Sequence, residues 1–326
     1  MVLRTLVAFV ALFYLVQAAY DGPISKDFEN WLNSNGYQSD NFARHDYGTK
    51  GSFGGFTDTI KTVNNTPVIF IHGNSDSALH KTLEQSYFGW DNSVEYFLQN
   101  GYTIAELYAT SWGDTDALNA AKRTHNCALV QSLRRFMQAV LDYTKAPKVS
   151  FVTHSMGVTL GRKIIKGGQI QASDGNCDIG PPLNSKVEVF VGLSGANYGL
   201  CNCMGTAADF EKTCNKKDGF WPGDSCGMNY MDCGLHPLMF PCTSPTYSSF
   251  LSQLNADKTK EGDYVFCAWS NKDDLIEYND YVWGKPTSEI PTADGKKVYP
   301  SYTHMQTKGE TAADQFNMVK NKVIPS

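Results

Sequence analysis

The chain has 326 residues, of which 42% are hydrophobic, 13% aromatic and 19% charged, with a formal net charge of -5. That apolar content excludes a disordered chain, and so low a charged fraction excludes a coiled coil. An acidic balance offers no basic field to hold phosphates, so nucleic acid is not an expected partner.

Arg4 precedes an apolar run that ends in Val16-Gln17-Ala18-Ala19. A basic start, about ten apolar residues and a small residue at the cut predict a secretory signal peptide over 1–18. The run falls short of the roughly 20 residues a spanning helix needs, and no later stretch reaches that length. A secreted, extracellular product follows, with residues 19–326 forming one domain. Asn64-Asn65-Thr66 is the one glycosylation acceptor triplet and places a candidate glycan on Asn64.

Unbroken apolar runs at 67–71, 103–108, 148–153, 187–193 and 264–269 predict strands buried on both faces, the mark of a parallel sheet. The clearest helical pattern covers 115–143, with Asp114 as its N-cap and Pro147 beyond its end. A second helix follows Ser155, and a third covers 312–323. Strands alternating with helices call for an α/β fold with helices on both faces of a mostly parallel sheet. The alternation fails at 197–247, a cysteine-rich insertion.

Nine cysteines in an exported chain predict disulfides. Cys201, Cys203, Cys214, Cys226, Cys233 and Cys242 crowd into the insertion, and Cys127, Cys177 and Cys267 stand apart. An odd count leaves one unpaired, and Cys267, inside an apolar strand, is the expected free thiol. His236 is the one histidine in the insertion and no repeated Cys-x-x-Cys pair occurs, which favours disulfides over zinc. Phe210, Phe220, Trp221 and Phe240 are expected to pack the insertion rather than line an acyl site.

Thr153-His154-Ser155-Met156-Gly157 joins a strand to a helix. A serine at such a junction sits on a tight turn that lifts its hydroxyl above the sheet, so Ser155 is the candidate nucleophile. Thr153 occupies the first small position of the usual Gly-x-Ser-x-Gly spelling. The base must follow the nucleophile. His236 and His304 do so, and His304, in a late loop before the last helix, holds the position a base requires. The orienting acid should leave the strand at 264–269, where Asp273 and Asp274 both qualify. Developing negative charge needs two backbone donors. The N–H of Met156 supplies one and that of Asn74, in the loop after the strand at 67–71, the other. His72 and His154 are expected to brace the loops rather than carry protons.

The segments Pro67-Val68-Ile69-Phe70-Ile71-His72-Gly73-Asn74, Thr110-Ser111-Trp112-Gly113-Asp114, His154-Ser155-Met156-Gly157, Ser270-Asn271-Lys272-Asp273 and Thr303-His304 resemble the class 2 lipase family, and more distantly the small secreted bacterial lipases. The resemblance extends from about Pro67 to the C-terminus. It implies an α/β-hydrolase fold, hydrolysis of triacylglycerol or other carboxylic esters, and a Ser155, Asp273, His304 triad, selecting Asp273 over Asp274. The small bacterial relatives lack a substantial lid, so the 197–247 insertion is a departure. Acyl transfer of this kind needs no metal or organic cofactor, and the expected partners are an ester substrate and transient lipid interfaces. A short-chain carboxylesterase, or a catalytically silent lipid-binding protein of the same fold, is the alternative.

Overall fold

The computed structural model describes residues 21–80, 87–223, 233–239, 242 and 245–325. The expected signal peptide, Cys226 and Phe240 lie outside the described residues.

Seven strands form the central sheet in the order β1-β3-β2-β4-β7-β8-β11. They are β1 (Ser52–Phe53), β2 (Val68–Ile71), β3 (Leu107–Thr110), β4 (Val149–His154), β7 (Val187–Leu193), β8 (Tyr264–Ser270) and β11 (Gly295–Tyr299). All pair in parallel except β1, which runs antiparallel to β3 at the edge. Two hairpins complete the strands, β5 (Gln169–Ala172) with β6 (Gly175–Asp178), and β9 (Tyr281–Val282) with β10 (Lys285–Pro286).

The α-helices of five residues or more are α1 (Lys26–Ser34), α2 (Asp91–Gln99), α3 (Cys127–Thr144), α4 (Met156–Lys166), α5 (Ser249–Ala256), α6 (His304–Gly309) and α7 (Ala312–Phe316). Alternate strand residues serve two apolar layers. Ile69, Ile71, Phe151, Phe190 and Cys267 join Phe28, Phe136, Ile164 and Leu251, from α1, α3, α4 and α5. Phe70, Val152, Val191 and Phe266 join Val94 and Phe97, from α2, and Met318 on the opposite face. Burial on both faces is why the strand sequences show no polar alternation.

Two expected elements are corrected. The helix expected over 115–143 starts only at Cys127, where the Asn126 side chain accepts the N–H of Leu129 and Asp174 accepts those of Cys127 and Ala128. Residues Ala117–Lys122 form instead a 3-10 segment capped by Asp116, and Leu118 there is 88% exposed. The strand expected at 103–108 begins at Leu107, because Thr103 and Glu106 close a capping box around a 3-10 turn. The buried Glu106 carboxylate also holds the N–H groups of Asn64 and Asn65, at 2.5 and 2.7 Å, ahead of β2. Asn64 itself is exposed.

Disulfides join Cys127 to Cys177, Cys201 to Cys233 and Cys203 to Cys214, and Cys242 is also disulfide-bonded. Cys267 is the free cysteine of the described residues, and burial pushes its thiol up to about 12. The insertion is anchored to the β5–β6 turn and to the segment just ahead of α3 through polar contacts. Asp218 accepts from Ser173 through its carboxylate and from His125 through its carbonyl. Phe220 and Trp221 are buried, whereas Phe210 is exposed.

A buried charge cluster closes the other end of α4. Glu261 accepts from Arg162 Nε at 2.8 Å and lies 3.3 Å from Lys166 Nζ, and all three side chains are almost wholly buried. Removing one member of such a cluster leaves charge stranded away from water. Glu261→Ala is therefore expected to cost about 3–5 kcal/mol of stability, read as a lowered midpoint in urea or thermal unfolding.

Candidate active site

Four loops leave the carboxyl ends of parallel strands and so meet at one edge of the sheet. From β2, the chain runs to β3 on one side, then returns to β4 on the other, which makes the β2/β4 crevice the topological switch point where such sheets bind ligands. Gly73 follows β2 and Ser155 follows β4, so both stand at that crevice.

Ser155 occupies φ 55° and ψ -129°, a conformation that costs an L-residue roughly 1–3 kcal/mol and persists only where its surroundings enforce it. Its N–H donates to Leu193 O at 2.9 Å, and α4 starts at the next residue. The turn fits because two neighbours lack side chains. A Cβ on Gly73 would lie 2.8 Å from the Cβ of Ser155, and one on Gly157 would lie 2.4 Å from the carbonyl oxygen of Ile71. Thr153, the departure from the usual small residue, turns instead toward β7, where its hydroxyl donates to Val191 O at 2.8 Å. Its methyl occupies space that a Cβ on Gly161 would contest at 3.1 Å.

His304 is the first residue of α6 rather than part of a loop, correcting the expectation. Thr303 and Gln306 form the capping box that starts this helix. Its imidazole Nδ1 lies 2.7 Å from Asp273 Oδ2, with both side chains buried. Asp273 Oδ1 accepts the N–H groups of Leu275 and Ile276 at 3.0 and 2.8 Å. Burial pushes the Asp273 carboxyl up, but the His304 ring and these donors outweigh it and hold it below the usual carboxylate range. Asp274 contacts the same histidine differently, accepting its backbone N–H at 2.8 Å through Oδ1. One aspartate holds the ring and its neighbour caps the helix that carries it.

His154 also touches His304. Its ring centroid lies 4.5 Å from that of His304, and its Nε2–H donates to the His304 carbonyl at 3.1 Å. Burial holds His154 well below its ordinary value, so it is neutral where it meets His304. His72 braces the neighbouring loop. Its Nε2 accepts the Trp112 N–H at 2.9 Å, its Nδ1–H donates to Gly73 O at 2.7 Å, and its ring stacks on Trp112. Burial pushes it down to about 4.

Asn74 uses its side chain, not its backbone, to fix its loop. Nδ2 donates to Ala120 O at 2.9 Å and Oδ1 accepts from Arg123 Nη1 at 2.6 Å. Its backbone N–H is given to no acceptor among the described residues. Met156 heads α4, and the first N–H groups of a helix have no intrahelical acceptor. The Arg123 contact escaped sequence reading, because that residue belongs to no spaced motif. A cavity of about 350 Å³ lies behind this loop, lined by Phe42, Arg44, Trp112, Arg123 and Leu133 among others. None of Ser155, Asp273 or His304 borders it, so it is distinct from this site.

A parallel sheet with a strained serine between a strand and a helix, beside an aspartate–histidine pair from later strand ends, defines an α/β-hydrolase. The profile of the class 2 lipase family matches residues 65–317, most of the chain, and the protein belongs to that family of carboxylic ester hydrolases. Solved structures similar to it include the mature lipase BlEst2 of Bacillus licheniformis. That likeness has 14% identity and a TM-score of 0.46, covering 81% of this chain and 96% of the other. An extracellular α/β-hydrolase from a Paenibacillus species is similar at 12% identity and a TM-score of 0.43, over 78% of this chain and 99% of its own.

Proposed function

We propose that the protein is a secreted triacylglycerol lipase that works through an acyl-enzyme on Ser155. Ser155 attacks the ester carbonyl while His304 takes its proton and passes it to the leaving alcohol. Asp273 keeps the imidazole in the tautomer that leaves Nε2 free to accept and stabilises the imidazolium that forms. The N–H groups of Asn74 and Met156 hold the oxyanion, each donor contributing roughly 3 kcal/mol at the transition state. Water then repeats the sequence and frees the acid.

The observation that carries this reading is the 2.7 Å Asp273–His304 contact at the same sheet edge as the strained Ser155. Among the described residues Ser155 Oγ and His304 Nε2 form no hydrogen bond, and a nucleophile–base contact of this kind commonly tightens only when substrate binds. Disulfides in the described residues and the lack there of any helix long and apolar enough to cross a membrane are compatible with export.

A fluorophosphonate probe should label the purified protein on the peptide containing Ser155. Failure to label would favour a silent lipid-binding protein. Comparing rates on tributyrin in solution and on long-chain triacylglycerol emulsions then tests the substrate: a lipase hydrolyses both, and activity confined to the short chain makes it a carboxylesterase.

A further inference from the structure

The loop that carries Asn74 and the helix that carries His304 are joined behind the site by a buried ion pair. Lys308 lies one turn beyond His304 on α6, and its ammonium donates to the Asp76 carboxylate at Oδ2. Asp76 is 3% exposed and Lys308 1%. The other oxygen of Asp76 accepts the N–H groups of Ser77 and Gly89, at 2.8 and 2.7 Å, so the carboxylate is fixed within its own loop. Lys308 is equally constrained. Its Nζ sits 5.2 Å from the Trp90 ring centroid, and its carbonyl accepts from Gln315 Nε2 at 2.7 Å.

Stability alone is a poor reason for such a pair, since desolvating two charges consumes most of their attraction and an apolar pair of similar volume often serves as well. Its placement is more informative. Asp76 shares a turn with Gly73, whose carbonyl accepts the Asp76 N–H at 3.3 Å, and that turn presents Asn74. The two tied segments thus supply opposite parts of one transition state, an oxyanion donor and the base. Preorganised donors act through their fixed distance from the developing charge, and misplacement by about 1 Å costs on the order of 100-fold.

We propose that Asp76 and Lys308 are a positioning pair that sets the spacing between the oxyanion loop and the base helix. The proposal rests on the assignment of Ser155, His304 and Asn74 made above, and neither member of the pair touches substrate.

The test is the double variant Asp76→Asn/Lys308→Met, which removes both charges together, preserves side-chain volume and keeps an oxygen for the Ser77 and Gly89 N–H groups. Turnover of p-nitrophenyl butyrate is measured per mole of folded protein, alongside the unfolding midpoint and Ser155→Ala as a control. Positioning predicts a fall in kcat of about 10- to 100-fold with KM changed less than about threefold. Should the double variant not fold, Lys308→Arg, which keeps both charges but changes the length of the tie, is judged by the same thresholds. A folded variant with kcat within twofold of wild type, beside an inactive Ser155→Ala, overturns the positioning role and leaves the site intact. Turnover retained by Ser155→Ala itself would take down the site and the pair together.

Discussion

Ser155→Ala should lower ester turnover by at least about 10⁴-fold and toward 10⁶-fold, while the protein unfolds at the wild-type temperature. The size of the loss follows from the division of labour at the sheet edge. Without the hydroxyl, His304 has no proton to take, and only the donors at Asn74 and Met156 remain to favour direct attack by water. The fold should be indifferent to the change. Alanine keeps the Cβ that rests against Gly73, and the Ser155 N–H still donates to Leu193. The measurement is kcat for a p-nitrophenyl ester set against thermal unfolding of the same preparation. Wild-type turnover by a folded Ser155→Ala protein would falsify the nucleophile assignment.

The second large effect separates two adjacent carboxylates. Asp273→Asn is expected to reduce kcat by about 10⁴-fold with KM little altered, because an amide beside Nδ1 favours the wrong tautomer and cannot stabilise the imidazolium. Asp274→Asn should change kcat less than about threefold, since its amide oxygen can still accept the His304 backbone N–H. Its cost should appear in stability, at no more than about 1 kcal/mol for a carboxylate lost from a helix N-terminus. Parallel kinetics and urea unfolding of both variants decide the matter. Equal losses of rate would contradict the assignment of ring and cap.

Much of this arrangement was legible in the chain. The strands at 187–193 and 264–269 stand out because sheet residues buried on both faces leave an unbroken apolar run, and both begin where expected. The stretch at 103–108 carries the same apolar run, yet the Thr103–Glu106 capping box claims its first half for a turn. The helix at 115–143 is a similar case. Its apolar spacing continues across 115–126, but Thr115 takes a φ of 55° and Asn126 caps the true start. Local hydrogen bonding there outweighs a periodicity that is only approximate. Asp273 and Asp274 are chemically equivalent in sequence. What separates them is that Asp273 is buried with its carboxylate held by the N–H groups of Leu275 and Ile276. The Asp76–Lys308 tie spans 232 positions, and no spacing rule connects residues so distant.

The placement of β11 at the border of the sheet bears on how the enzyme comes into being. The residue before the nucleophile and the base itself are 150 positions apart, and His304 reaches its place only after β11 has been laid against β8. A ribosome-bound or truncated chain ending before that border strand carries a hydroxyl with nothing to deprotonate it. On the reading proposed here, lipolytic power therefore appears only when β11 has paired with β8 and carried His304 to the sheet edge.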